Sequence, residues 1–396
     1  MKNLLVFLVV AVVGAACFDL FDTENLIKSE GYHTETHYVT TSDGYVLQVN
    51  RIPYRRHERS SHKHNRPVVF LMHGLLAASN SYVLLGHENS LAFNLADAGF
   101  DVWMGNARGN RNSRAHVSLN PDHARQKFDF FDFSWEEIGM IDVPEMIDYA
   151  LKHTGREKLH YIGHSQGGTA FLVMSSMRPE YNEKLESVHL LAGVGYMKHF
   201  PNSQMSGLAA LSNVIYNFAL TIGMVELFPP SSDSRSVGRS ADSCTGNLGY
   251  NYMCDLTGVD QIVRGSGDSE GMFGNYEPAG AAIKQIAHYG QNIKDKTFRR
   301  WNFGLLKNLR KYGSSSPPKY NLGLITADVT MHYTVSDTLL DPRDVLAMAA
   351  DMPNCKVRKV AREDFQHEDF IAAKDSKELV NEYVIEQINA VSGFGR

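Results

Sequence analysis

Cysteine is scarce in this chain of 396 residues: there are four in all, too few for a disulfide scaffold. No Asn-x-Ser/Thr sequon occurs, so N-glycosylation is not expected. Neither sign of charge dominates. With 39 basic against 44 acidic side chains, the net charge of -5 and pI near 6.4 give no electrostatic footprint for nucleic acid. Apolar runs long enough to span a bilayer are nearly absent, which excludes a polytopic membrane protein. What is present, 43% hydrophobic and 10% aromatic residues, is an ordinary globular composition and excludes a disordered chain. The length allows two or three domains, or one large domain carrying an insertion.

Met1-Lys2-Asn3 is a short cationic start, followed by the unbroken apolar run Leu4 to Val13 and the small residues Gly14-Ala15-Ala16. The run is too short for a bilayer span and reads as a signal peptide over residues 1–16, cleaved on secretion. The destination is extracellular, with the lysosome as the alternative. In such an oxidising compartment Cys244 and Cys254 are close enough in sequence to pair, and Cys355 is left as a free thiol.

After a propeptide-like stretch, the first strand signal is Tyr45 to Ile52. Val68 to Met72 is a continuous apolar run between Pro67 and Gly74 and reads as a buried parallel strand. Ser90 to Ala98 reads as a helix capped by Ser90, and Val102 to Met104 starts a strand. A helix over Ile138 to Leu151, a strand over Leu159 to Gly163, a helix over Gln166 to Met177 and a strand over Val188 to Leu191 follow. This alternation predicts a mostly parallel α/β sheet. From about Gly195 to Lys319 the rhythm breaks into Ser-, Gly- and Asn-rich sequence with helical patches and no clear strand. It resumes with the strand Val329 to Thr334, helix Pro342 to Asp351, strand Lys356 to Val360 and helix Lys377 to Asn389. One core in two parts, 17–195 and 321–396, interrupted by a helical cap over 196–320, accounts for this pattern.

Gly163-His164-Ser165-Gln166-Gly167 is a G-x-S-x-G motif between an apolar strand and a helical run, the setting of a nucleophile elbow. The flanking glycines suit a tight, strained turn that leaves no room for side chains. Ser165 then needs a base and an orienting carboxylate, in the chain order Ser, Asp, His. Of the downstream histidines, His189 and His332 fall inside strands and His199 and His288 in the cap. His367 lies in a loop between the last strand and the last helix, where a base belongs. For the carboxylate, Asp337 follows its strand by a short turn. Asp341 is the runner-up, but Pro342 and Asp344 after it give it a sufficient role as a helix N-cap. Oxyanion donors are expected from the backbone N–H of Gln166 and of Leu75, in the loop His73-Gly74-Leu75-Leu76. His73, just before the glycine, suits a hydrogen bond that pins this loop. No His/Cys/Asp cluster with metal-ligand spacing stands out, and neither a metal nor a cofactor is expected.

The loop His73 to Leu76, the run Ser90 to Arg114, the segment Phe133 to Gly139 and the GHSQG motif together resemble the acid lipase family of gastric, lysosomal and secreted invertebrate lipases. The resemblance extends to Thr40 to Leu47 and to the Asp337-to-His367 segment. It implies an α/β-hydrolase fold with a lid-bearing cap and hydrolysis of neutral-lipid esters. By motif it implies Ser165 as nucleophile, Asp337 as acid, His367 as base, Leu75 and Gln166 as oxyanion donors, and a Cys244–Cys254 disulfide in the cap. The sequence departs from the family at Gly168, where threonine is usual, and at Phe131, where tryptophan is usual.

Ser206 to Val225 carries no charge, but Asn213, Asn217 and Thr221 draw one polar stripe on an apolar helix. That predicts a buried or interfacial cap helix rather than a span. The expected partner is neutral lipid at a lipid–water interface. A short-chain carboxylesterase on the same fold is the alternative within enzymes, and a non-catalytic lipid-binding relative the alternative outside them.

Overall fold

The computed structural model describes residues 22–58, 66–229 and 278–393. The segment 1–16 and both Cys244 and Cys254 lie outside the described residues, whereas Cys355 is a free thiol. The strands are β1 (Glu35–Thr40), β2 (Tyr45–Ile52), β3 (Val68–Met72), β4 (Asp101–Gly105), β5 (Ala115–His116), β6 (Leu159–His164), β7 (Leu185–Leu191), β8 (Glu226–Leu227), β9 (Ala281–Ala282), β10 (Val329–Tyr333) and β11 (Cys355–Lys359). The main sheet runs β1-β2-β4-β3-β6-β7-β10-β11, with β5 beside β2. From β4 to β11 every pairing is parallel, while β1 and β2 run antiparallel at one edge. All residues of β3, β4 and β6 are buried, as expected for strands covered by helices on both faces.

Several expectations are corrected. The stretch before Tyr45 is not propeptide-like throughout: its helix Thr23–Ser29 and edge strand β1 belong to the fold. One antiparallel neighbour leaves β1 half exposed, so its residues lack the apolar signature of the central strands. Ser90 stands at the N-cap position of helix Leu91–Ala98, but its hydroxyl makes no cap hydrogen bond. The predicted long helices are each entered through a π-helical turn, Ile138–Asp142 before Val143–Thr154 and Lys377–Asn381 before Glu382–Ser392.

Between β7 and β10 the described chain is mainly helical: Ser203–Ala209, Ser212–Thr221, Ile283–Asp295 and Leu305–Tyr312. It also holds the short antiparallel pair β8–β9, which the sequence did not signal. The uncharged run from Ser206 is two helices rather than one. The break falls at Ala210–Leu211, beside the point where Ser212 packs so closely on Gly290 that a Cβ there would sit 2.7 Å from the serine Cβ. Two short helices can each follow the surface of Ile283–Asp295 where a single straight one would leave it. The stripe Asn213, Asn217 and Thr221 is exposed, and so are Leu211, Val214, Phe218 and Ile222.

The segment Phe133 to Gly139 fastens these helices to the sheet. Ser134 and Glu137 form a capping box, with the Ser134 N–H donating to Glu137 Oε2 at 2.7 Å. Trp135 stacks on His288 with ring centroids 3.7 Å apart, and Glu136 accepts from Arg300 at 2.8 Å. Among the described residues, no helix is long and apolar enough to cross a membrane.

Candidate active site

β6 ends at His164 and helix Gln166–Met177 begins one residue later, so Ser165 alone makes the turn. Its φ of 49° and ψ of -112° lie where a residue with a Cβ is strained. The neighbouring glycines are required by space. A Cβ at Gly163 would lie 2.6 Å from the Gly167 carbonyl carbon, and one at Gly167 would lie 2.1 Å from Met72 O. The tight approach lifts the Ser165 hydroxyl clear of the sheet.

His367 follows β11, and Asp337 follows β10, the neighbouring strand. The structure brings all three side chains together. The Ser165 hydroxyl donates to His367 Nε2 at 2.7 Å, and His367 Nδ1–H donates to Asp337 Oδ2 at 2.7 Å. Asp337 Oδ1 accepts from the N–H groups of Leu339 and Leu340 at 2.7 and 2.9 Å, which fixes the carboxylate. Burial alone would push the His367 pKa down. The Asp337 carboxylate, by charge and hydrogen bond, and Glu368 outweigh it and hold the imidazole up at about 9. Asp341 does not reach His367; its side chain accepts from the N–H of Arg343 at 2.9 Å as a helix N-cap.

Leu75 follows Gly74, where a Cβ would lie 3.2 Å from the Ser165 Cβ, and Gln166 follows Ser165 directly. Neither backbone N–H has an acceptor among the described residues, and Leu75, Leu76 and Ser165 line a cavity of about 140 Å³. His73 pins the loop as expected: Nδ1–H donates to Gly74 O at 2.7 Å, and Nε2 accepts from the N–H of Ala107 at 3.0 Å. Burial lowers its pKa to about 4, so the ring stays neutral at ordinary pH. Leu76 takes φ of 65°, a strained turn that nothing in the sequence foretold.

Three further supports escaped the sequence reading. His164, the variable residue of G-x-S-x-G, donates from Nε2 to the His367 carbonyl at 3.0 Å and so positions the loop that carries the imidazole. Arg108, fully buried, donates from Nε to Asp142 at 2.7 Å and from Nη1 to Asp43 at 2.6 Å, and stacks over Tyr45. That pairing holds the loop after β4, whose Ala107 N–H meets His73. From the intervening helices, Gln285 donates to Gln166 Oε1 at 3.2 Å, and the hydroxyls of Tyr289 and Thr169 lie 2.8 Å apart.

Leu208, Ile215, Ile286 and Ile293 also line the cavity, whose walls are apolar except at Ser165, Ser212, Tyr289 and Glu368. Elsewhere, Glu35, His37 and His153 bring ligand-type atoms within 4.8 Å of one another, a grouping the sequence did not suggest. Arg51 donates to Glu35 Oε2 at 2.8 Å, so a cation already pairs with that carboxylate.

The comparisons agree with this architecture. Residues 23–86 match the partial alpha/beta-hydrolase lipase region, and residues 67–373 match the alpha/beta hydrolase fold. Lipase 1 of Drosophila melanogaster is 38% identical, over 93% of this chain and 80% of its own length. Gastric triacylglycerol lipase of Homo sapiens is 32% identical, over 92% of this chain and 90% of its own. Among solved structures, an esterase from Exiguobacterium antarcticum superposes with a TM-score of 0.52 at 13% identity, covering 89% of this chain and 99% of that one. This last likeness speaks for the fold alone. The chain belongs to the acid lipase family of the α/β-hydrolases.

Proposed function

We infer that the chain is a secreted serine hydrolase that cleaves carboxylic esters of neutral lipids, triacylglycerols or sterol esters, through an acyl-enzyme on Ser165. The observation that carries this reading is the hydrogen-bonded line Ser165–His367–Asp337 opening into an apolar cavity. As the Ser165 oxygen attacks the ester carbonyl, its proton passes to His367 Nε2. The imidazolium so formed is stabilised by Asp337, and the oxyanion is met by the N–H groups of Leu75 and Gln166. His367 then gives the proton to the departing alcohol. A water molecule repeats the sequence on the acyl-enzyme, releasing the fatty acid and restoring the serine.

The described helices between β7 and β10 serve as the cap, which spans 196–320 in sequence. Val214 and Phe218 on one helix with Ile222 just after it, and Leu305, Leu306 and Leu309 on another, expose apolar surface suited to a lipid–water interface. The relatives named as lipases, including a gastric triacylglycerol lipase, support the substrate class. The apolar leader Leu4 to Val13 supports secretion. The deciding experiment compares emulsified long-chain triacylglycerol, a sterol ester and a soluble short-chain ester side by side. Turnover confined to the soluble ester would replace the lipase reading with a plain carboxylesterase.

A further inference from the structure

Among the described residues lining the cavity above Ser165, Glu368 is the one acidic side chain, and none is basic. It follows His367 directly, and one of its carboxylate oxygens lies within 4.8 Å of ring nitrogens of both His367 and His164. The nearby arginine, Arg362, is occupied by Asp364, Asp369 and Asp375. A carboxylate among leucines and isoleucines adds nothing to the binding of an acyl chain, so its place here needs another reason.

We propose that Glu368 is a specificity residue that expels ionised fatty acid from this cavity while admitting the uncharged ester. The inference rests on the ester-hydrolase reading above. In each tetrahedral stage the oxyanion is accompanied by the imidazolium of His367, so the reacting centre carries no net charge. Once the acyl group is released and, above about pH 9, the His367 proton has left, the product is a carboxylate with no such partner. The donors that steady the oxyanion would also retain that product. A second carboxylate a few ångströms away, in a medium of low dielectric, opposes its retention. Several groups face Glu368. Burial raises its pKa, the neighbouring His367 lowers it, and Asp337 and Asp369 raise it again; His164, itself lowered to about 3, stays neutral. The repulsion therefore operates toward alkaline pH.

The test measures the binding of decanoate and of 1-decanol to the whole chain by calorimetry at pH 10, where His367 is neutral and no turnover is needed. Glu368→Gln is expected to tighten decanoate about tenfold, a difference of about 1.4 kcal/mol, and to move 1-decanol less than about twofold. Glu368→Asp should keep decanoate weak. Parallel tightening of both ligands would mean that Glu368 acts through shape, and unchanged decanoate binding would mean that it exerts no repulsion; either overturns the proposal. Absence of ester hydrolysis by the unsubstituted chain would instead defeat the ester-hydrolase reading, because the binding contrast is measured independently of it.

Discussion

Trp135 and His288 lie face to face, 8° from parallel, and through this contact the segment before the π-helical turn is joined to the helix that roofs the cavity. His288 Nδ1 meets the Ser134 hydroxyl at 3.0 Å and Nε2 meets Arg299 O at 3.0 Å, so one ring ties three parts of the chain. Burial lowers its pKa to about 3 and keeps it neutral. His288→Leu keeps apolar bulk but strands both partners, which should cost about 1–3 kcal/mol. Limited proteolysis should then cut within 283–320 before it cuts the sheet. Simultaneous loss of both parts would show that these helices and the sheet unfold as one unit.

Replacing Ser165 with alanine should lower ester turnover by about a thousandfold or more while leaving thermal stability near the unsubstituted value, since alanine keeps the Cβ and the backbone of the turn. Asp337→Asn should lower kcat by orders of magnitude through loss of imidazolium stabilisation. Asp341→Asn should leave kcat near the unsubstituted value, because asparagine also caps helices. Steady-state kinetics on a soluble ester separates the two aspartates, and the opposite ranking would exchange their roles.

The His367–Asp337 pair gives opposite pH trends for stability and activity. The folded pKa of His367, about 9, stands above its ordinary value of 6.5. Its contribution to stability is therefore complete below about pH 6.5 and is lost as pH climbs through about 9. Activity needs the neutral base, so that limb of kcat/KM should rise over the same range. Asp337→Asn should move the limb to lower pH and flatten this part of the stability profile. Denaturant midpoints and kcat/KM measured from pH 5 to 10 test both signs. A limb that stays in place would mean that Asp337 does not set the imidazole pKa.

Ile215 lines the cavity from the helix Ser212–Thr221. Ile215→Asp should depress hydrolysis of emulsified long-chain lipid by about tenfold or more, given the cost of an unpaired charge on an apolar surface. Turnover of a short soluble ester should fall far less, because Ser165, His367 and Asp337 belong to the sheet. Equal losses on both substrates would assign the helix to support of the fold.

Much of this site was legible because its chemistry is written locally. The elbow needs Gly163, Ser165 and Gly167 at fixed spacing between a strand and a helix, and the loop holding His367 is bracketed by clear elements. The capping role of Asp341 was likewise readable from Pro342 and Asp344, which left Asp337 for the imidazole. The supports were not legible. Arg108 meets Asp142 and Asp43 only after three separate segments converge, and His164 reaches a carbonyl 203 residues along the chain. The division of the uncharged run at Ala210–Leu211 has no proline to mark it; it answers to the close contact of Ser212 with Gly290, which no local pattern encodes. β1 was missed for a different reason, since an edge strand open to solvent carries a weaker apolar signal.

The pairing of β7 with β10 also has a consequence for biosynthesis. Leu190 lies beside Met331, so the strand that completes the sheet next to β7 is synthesised only after all of the chain between Leu191 and Val329. Until then the growing chain presents the backbone edge of β7, with Ser165 already in place but both of its partners unmade. Closing so long a loop slows the final pairing, and an open strand edge invites association with other nascent chains. A shortened connection between β7 and β10 should thus speed refolding and reduce aggregation even where it abolishes turnover, because the demands of the catalyst and of the folding chain diverge at this one seam.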